Sequence, residues 1–467
     1  MAVILLLSML VACAQNGTPE ETTEAPAVAT TTAAEETTGE PEPLVPVEDL
    51  SVNGQATKFN MLVRKSRYAY LYTDEQNGEL LNYAVYKRNT TLEEDYGISF
   101  SISEQSDATG FATAMKAATD EYDLACVDYW WNLELQGLFL DIAQMEEINV
   151  EDPWWYSGWN KNVTINGKMY TIAGDANLEM LENLEVVFFN KSIAKDLNLD
   201  LYKSVSDGKW TIEEMKTAIS MAASGFDDAD TTNDRYGLLI DLHSADAMLY
   251  SLGMKLSEFV DGEVSIDIAS DQKNIDLTEA LSAVIKTTGT KYVGTTARAT
   301  DWTIFKNGTT LFYATALYIG QSMKSGNLDF DYGILPMPKL TEDAEYISTS
   351  YGVSVFGIPV TVASAHNSAL IMNAMSYRSS GTDDSLVTTF YDVVLKYQIA
   401  TSVEDVTNLD IVKNNVYIDF CFIYLSSIDK TLRDSAINGT SPSTPLKATV
   451  KTAKNTLKNS IIAFYQQ

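Results

Sequence analysis

An α/β fold divided into two domains is what this sequence predicts, and three observations lead there. From Phe59 onward the apolar residues alternate between a period of two and a period near that of a helix. The body beyond the first segment is about 400 residues, larger than one hydrophobic core usually grows. Nothing between Phe59 and Gln467 reads as a simple linker, so the lobes are expected to be built from interleaved segments.

In chain order the strand candidates are Met61-Leu62-Val63, Leu124-Ala125-Cys126-Val127, Val186-Val187-Phe188-Phe189, Gly237-Leu238-Leu239-Ile240, residues 330–335 and residues 353–358. Each is short and closed by polar, Pro or Gly residues. Asn166-Gly167 reads as a tight hairpin turn. Asn190 and Lys191 end one strand and start a helix, where a polar side chain satisfies orphan backbone groups. Pro336 and Pro338 stiffen the exit of another. Among helices, Thr211 with Glu214 forms a capping box and Trp210 can staple onto Met215. Ile212, Met215, Ile219 and Ala222 then share one face. Leu277, Leu281, Val284 and Ile285 form a second stripe that stops near Gly289. A third runs over residues 368–375 and a fourth over 450–462.

The first twelve residues are apolar but too short to span a bilayer. They end in Leu10-Val11-Ala12-Cys13, which resembles the bacterial lipobox. That resemblance implies a diacylglyceryl group on Cys13, and two acyl chains at about 0.8 kcal/mol per buried CH2 hold a protein on a membrane. No Lys or Arg precedes Cys13, a departure from the usual signal peptide that a start codon further upstream would explain. The other reading is a buried N-terminal segment with an incidental cysteine. Residues 14–54 are rich in Thr, Glu, Ala and Pro and read as a disordered acidic tether.

The chain of 467 residues has a formal charge of −32, which disfavours nucleic acid and anionic lipid as partners. Its cysteines are Cys13, Cys126 and Cys421, and its histidines His243 and His366 are isolated, so no metal or cofactor site is expected. Cys126 sits in an apolar run as a buried thiol would, and pairing with Cys421 stays open. Asp228, Asp230, Thr232 and Asp234 alternate like a calcium loop. Asn233 and Leu239, however, stand where Gly and Glu are required, and an acidic turn is the better reading.

Several short runs follow one another along the body: Asp74-Glu75-Gln76-Asn77-Gly78-Glu79, Ala84-Val85-Tyr86-Lys87-Arg88-Asn89, Tyr122-Asp123-Leu124 and Pro153-Trp154-Trp155. Then come Gly167-Lys168-Met169-Tyr170, Gly174-Asp175, Phe188-Phe189-Asn190-Lys191, Gly208-Lys209-Trp210-Thr211, Phe305-Lys306-Asn307-Gly308 and Tyr332-Gly333-Ile334-Leu335-Pro336-Met337-Pro338. In this order and spacing the chain resembles the extracellular solute-binding proteins of ABC transporters, family 1, the branch of maltose- and sugar-binding lipoproteins of gut bacteria. The resemblance implies a two-lobed periplasmic-binding-protein-like fold with a hinge and an interlobe cleft. Lobe 1 would take residues 55–174 and 345–400, and lobe 2 residues 175–340 and 401–467.

Cleft residues in such a fold come from loops at the carboxyl ends of strands. The leading cluster is Asp128-Tyr129-Trp130-Trp131, directly after an apolar strand; Trp130 and Trp131 offer faces for sugar rings and Asp128 an acceptor for paired hydroxyls. Arg67 and Tyr68 lie in the loop after the first strand. Asp175 lies at the proposed first crossing, and Trp302, Tyr313 and Tyr351 are further candidates. For each the competing reading is packing, a turn or a helix cap. Trp154, Trp155 and Trp159 read as domain packing first.

The function implied is that of an extracellular, lipid-anchored monomer capturing a mono- or oligosaccharide for ABC permease subunits, without chemistry. Surface polysaccharide capture and a secreted glycan-active enzyme are the alternatives. No Gly-x-Ser-x-Gly or His-Glu-x-x-His supports the enzyme.

Overall fold

Strands β1 (Thr57–Arg64), β2 (Ile98–Gln105) and β3 (Leu124–Asp128) pair in parallel, which requires a crossover between each and the next. Helices Leu80–Tyr96 and Ala108–Ala117 supply those crossovers. The remaining strands are β4 (Glu185–Asn190), β5 (Tyr236–Ile240), β6 (Glu258–Val260), β7 (Glu263–Ser265), β8 (Thr290–Tyr292), β9 (Thr310–Ala316), β10 (Tyr332–Pro336) and β11 (Ser354–Gly357). The structure, a computed structural model, describes residues 44–466 except 66–67, 118–119, 227–233, 261–262, 295–297 and 383. Cys13, Arg67, Asp228, Asp230 and Thr232 therefore lie outside the described residues.

One sheet has the order β11-β3-β1-β2, with β11 antiparallel at its edge; the other has the order β10-β4-β9-β5-β8, and β6-β7 is a small hairpin. In the second sheet β5 runs parallel to β8 and β9, while β4 is antiparallel to β9 and β10. All residues of β4 and β9 are buried, as expected for central strands covered on both faces. The connection from β3 to β4 lies beside the connection from β10 to β11, with Leu184 bridging Ser350, and beside β11 itself, with Ile172 bridging Phe356, both antiparallel. Ser348 of the second connection also bridges Val416 in parallel. Two sheets joined by adjacent connections make the two-lobed architecture.

Local chemistry sets the element ends. Asn166 and Gly167 both adopt positive φ, 51° and 72°, and turn Ile165 onto Lys168. Asn190 Oδ1 accepts from the backbone N–H of Ser192 and Ile193, capping helix Lys191–Asp196. Thr211 Oγ1 accepts from Glu214 N, but the Glu214 carboxylate takes the Ser204 hydroxyl instead of returning to the cap. The capping box is thus half formed, because a neighbouring helix offers a nearer donor.

Residues 45–50, which composition assigns to the tether, pack on the body. Val45 and Leu50 are buried, Tyr96 Oη donates to Pro46 O, and Leu50 N donates to Tyr96 O. Two apolar side chains and these hydrogen bonds offset the ordering entropy of residues 45–50. Cys126 and Cys421 are separate buried free thiols.

Candidate ligand-binding cleft

The carboxyl end of β3 carries the cluster that the sequence singles out. Asp128 is buried and pairs with the guanidinium of Arg64, the last residue of β1. Arg64 Cζ also lies 5.5 Å from the centroid of Trp130 and 5.7 Å from that of Trp131. Trp130 keeps 46% of its surface exposed, unusual for the largest apolar side chain. Trp131 instead turns its ring edge-on to Phe111 at 5.2 Å.

From Trp130 a run of rings leads to the second sheet. Tyr129 meets Trp130 edge-on at 5.3 Å and stacks on Phe422 at 5.1 Å. Phe422 meets Tyr351 at 4.7 Å, and Tyr351 lies on His243 at 4.4 Å. His243 follows Asp241, which caps helix Leu242–Ser251 at the carboxyl end of β5. Strand ends of both sheets therefore contribute to one aromatic run. Beside it Asp246 pairs with Arg433, and Tyr250 Oη donates to Asp429. Burial raises the Asp246 carboxyl to about 6 although Arg433 opposes the shift, and burial with the Asp246 charge pushes Asp429 well above the usual carboxylate range.

Tyr68 lines a cavity of about 810 Å³ with Tyr70, Tyr72, Asp74, Glu104 and Gln321. It lies between the loop after β1, the end of β2 and helix Ile319–Ser325. Its volume falls in the range of small-molecule sites, roughly 300–1,000 Å³. Tyr70 Oη donates to Glu182 on the connection to β4, so this wall also draws on both halves.

The other candidates are placed elsewhere. Asp175 lines a separate cavity of about 460 Å³ with Trp155, Tyr156 and Lys413. Tyr313 is fully buried in β9, 5.7 Å from the Phe305 ring. Trp302 packs over Gly326, where an added Cβ would lie 2.5 Å from the indole, and Lys306 Nζ covers its ring at 5.4 Å. Trp154, Trp155 and Trp159 are buried, and Trp154 Nε1 donates to Asn373. Arg64, His243 and Phe422 were not singled out by sequence reading. A charged residue closing a buried strand was the available signal for Arg64. Nothing local marks Phe422. Among the described residues no group of three or more His, Cys, Asp or Glu is arranged to hold a metal ion, and no helix is long and apolar enough to cross a membrane.

Buried carboxyl groups make stability pH-dependent. Burial raises Asp175 and Glu134 to about 7 each and Asp246 to about 6. Unfolded, these groups ionise near their ordinary values, so between about pH 4 and 7 the folded chain holds the extra protons and stability falls as pH rises. His366, raised by Glu147 and Glu48, acts in the same direction. Thermal unfolding should show a midpoint on the order of 5 °C higher at pH 5 than at pH 8. Asp175→Asn should flatten that slope, and a midpoint rising with pH over this window would contradict the assignment.

The chain has the two-lobed fold of the ABC-transporter solute-binding proteins. It is similar to the galacto-N-biose-/lacto-N-biose I-binding protein of the Bifidobacterium longum ABC transporter, in complex with lacto-N-biose (TM-score 0.57, 15% identity, 87% of this chain and 98% of that one). An ABC substrate-binding protein of Listeria monocytogenes in complex with cycloalternan matches with TM-score 0.55 and 12% identity over 86% of this chain and 99% of that one. UgpB of Mycobacterium tuberculosis, in complex with glycerophosphocholine, matches with TM-score 0.56 and 12% identity over 87% and 99%. No protein-family model matches the chain, and no curated protein matches it in sequence.

Proposed function

We propose that this chain is an extracytoplasmic solute-binding protein, anchored through a lipidated Cys13, that captures a carbohydrate for an ABC importer by closing two lobes over it. The observation that carries the reading is the aromatic run from Trp130 to His243, joined to the Arg64–Asp128 pair and drawn from strand ends of both sheets. Ring faces suit the apolar faces of pyranoses, and a fixed carboxylate–guanidinium pair offers acceptors and donors to hydroxyls. The company of sugar-bound structures with this fold supports the same ligand class. Closure requires only that ligand bind the closed form more tightly than the open one, and no bond is made or broken. The closed form is what docks on the permease.

The test is a thermal-shift screen with maltose, maltotetraose, lacto-N-biose, cycloalternan and glycerophosphocholine. At 100 times its Kd a ligand of the folded state adds about 2.7 kcal/mol, which reads as a shift of several degrees. A shift with a saccharide is expected. A shift with glycerophosphocholine alone would move the ligand class to phosphodiesters, and no shift with any member of the panel would overturn the carbohydrate reading.

A further inference from the structure

The run Ala84–Asn89 stands apart from the cleft, and one of its residues is in an unusual position. Arg88, on helix Leu80–Tyr96, is 4% exposed. Its guanidinium donates to Leu71 O at 2.7 Å, to Ala176 O at 3.2 Å, to Ser379 Oγ at 3.0 Å and to Asn89 Oδ1 at 3.0 Å. All four acceptors are neutral. Among the described residues no carboxylate pairs with it, in a chain that carries 64 of them. Burial alone pulls the guanidinium down to about 9. Buried charges are as a rule paired, because an unpaired one costs several kcal/mol in lost hydration.

Beside Arg88 lies a cavity of about 250 Å³ between this helix and the segment that follows helix Ala365–Ser379. Lys87, Arg88 and Arg378 line it with cations, and Thr91, Ser380 and Ser385 with hydroxyls. Asp384 is the acid among the described lining residues, and Lys87 already engages it; Arg378 pairs outward with Asp95. With Lys87 engaged by Asp384 and Arg378 by Asp95, Arg88 is the cation of this cavity whose hydrogen-bond partners are all neutral, on a molecule whose formal charge is −32.

We propose that this cavity binds a small inorganic oxyanion, phosphate or sulfate, which serves as the counter-ion of Arg88. Guanidinium and hydroxyl donors are the groups that hold tetrahedral oxyanions, through charge-assisted hydrogen bonds. The cavity is small enough to exclude a saccharide chain, so this site is distinct from the cleft. Through Leu71 and Ala176 the anion would brace both the loop after β1 and the connection to β4.

The experiment titrates inorganic phosphate into the purified protein by calorimetry, at constant ionic strength set with sodium chloride, and repeats it with Lys87→Gln/Arg378→Gln. Both substituted side chains are partly exposed, so the variant should fold, and Arg378→Gln alone provides a second variant if it does not. Expected are saturable binding to one site in the parent, competition by sulfate, and at least tenfold weaker binding in the double variant. No phosphate heat in the parent, or binding equal in parent and variant, overturns the proposal. A thermal midpoint raised equally by phosphate and by chloride at matched ionic strength does so too.

Discussion

Asp419→Ala should lower the free energy of unfolding by about 3–5 kcal/mol, with little change in the fold's secondary structure where it still forms. Asp419 is buried and accepts five hydrogen bonds. They come from Leu256 N at 3.0 Å, Ser257 N at 3.3 Å, Ser257 Oγ at 2.8 Å, Tyr417 Oη at 2.7 Å and Cys421 N at 2.8 Å. Three of these donors are backbone groups that cannot turn toward water. Removing the carboxylate strands them, and each orphan costs about 1–3 kcal/mol. The bonds tie the segment after helix Leu242–Ser251 to the helix that carries Phe422, so the aromatic run also depends on them. Denaturant unfolding monitored by tryptophan fluorescence measures the loss. Asp434→Ala, an exposed change, is the control expected within about 0.5 kcal/mol. A midpoint for Asp419→Ala within the error of the parent would show that water or a backbone shift replaces the carboxylate.

Trp130→Ala should weaken saccharide binding tenfold or more while leaving unfolding nearly unchanged. The ring is nearly half exposed and its packing partners are Tyr129 and Arg64, so the fold loses little when it is removed. Tenfold corresponds to about 1.4 kcal/mol, within the range of one aromatic contact. Trp131→Ala separates the two roles. Its edge contact with Phe111 is part of the core of the first sheet, so this variant should lose stability more than affinity. Isothermal titration with the saccharide that gives the largest thermal shift decides the matter. Equal affinity in Trp130→Ala and parent would place the ligand in the cavity lined by Tyr68 instead.

Much of the fold was legible because buried strands and amphipathic helices leave periodic traces. The runs at 61–63, 124–127, 186–189 and 237–240 all lie inside strands of the structure. β2 was missed although Ile98–Gln105 alternates apolar residues with Ser at the strand period of two before ending in Glu and Gln. Tyr313 reads from the sequence as a candidate ligand contact, and it lies within β9. In the structure the strand continues to Ala316, pairs with β4 and β5 on either side, and buries the tyrosine. A tyrosine after an apolar run carries no mark of which way it faces, since that depends on what covers the sheet.

What the sequence determined by itself is local: the Asn166-Gly167 turn, the Asn190 and Thr211 caps, and the strand end that delivers Asp128. These interactions reach only a few residues, so the residue types at those positions settle them. The tertiary structure alone decided which distant groups meet. Arg64 finds Asp128 because β1 and β3 are neighbours in the sheet; Phe422 bridges Tyr129 and Tyr351; Arg88 meets neutral acceptors from four separate residues. Sheet order and helix docking fix such encounters, and neither is written in the spacing of any one segment.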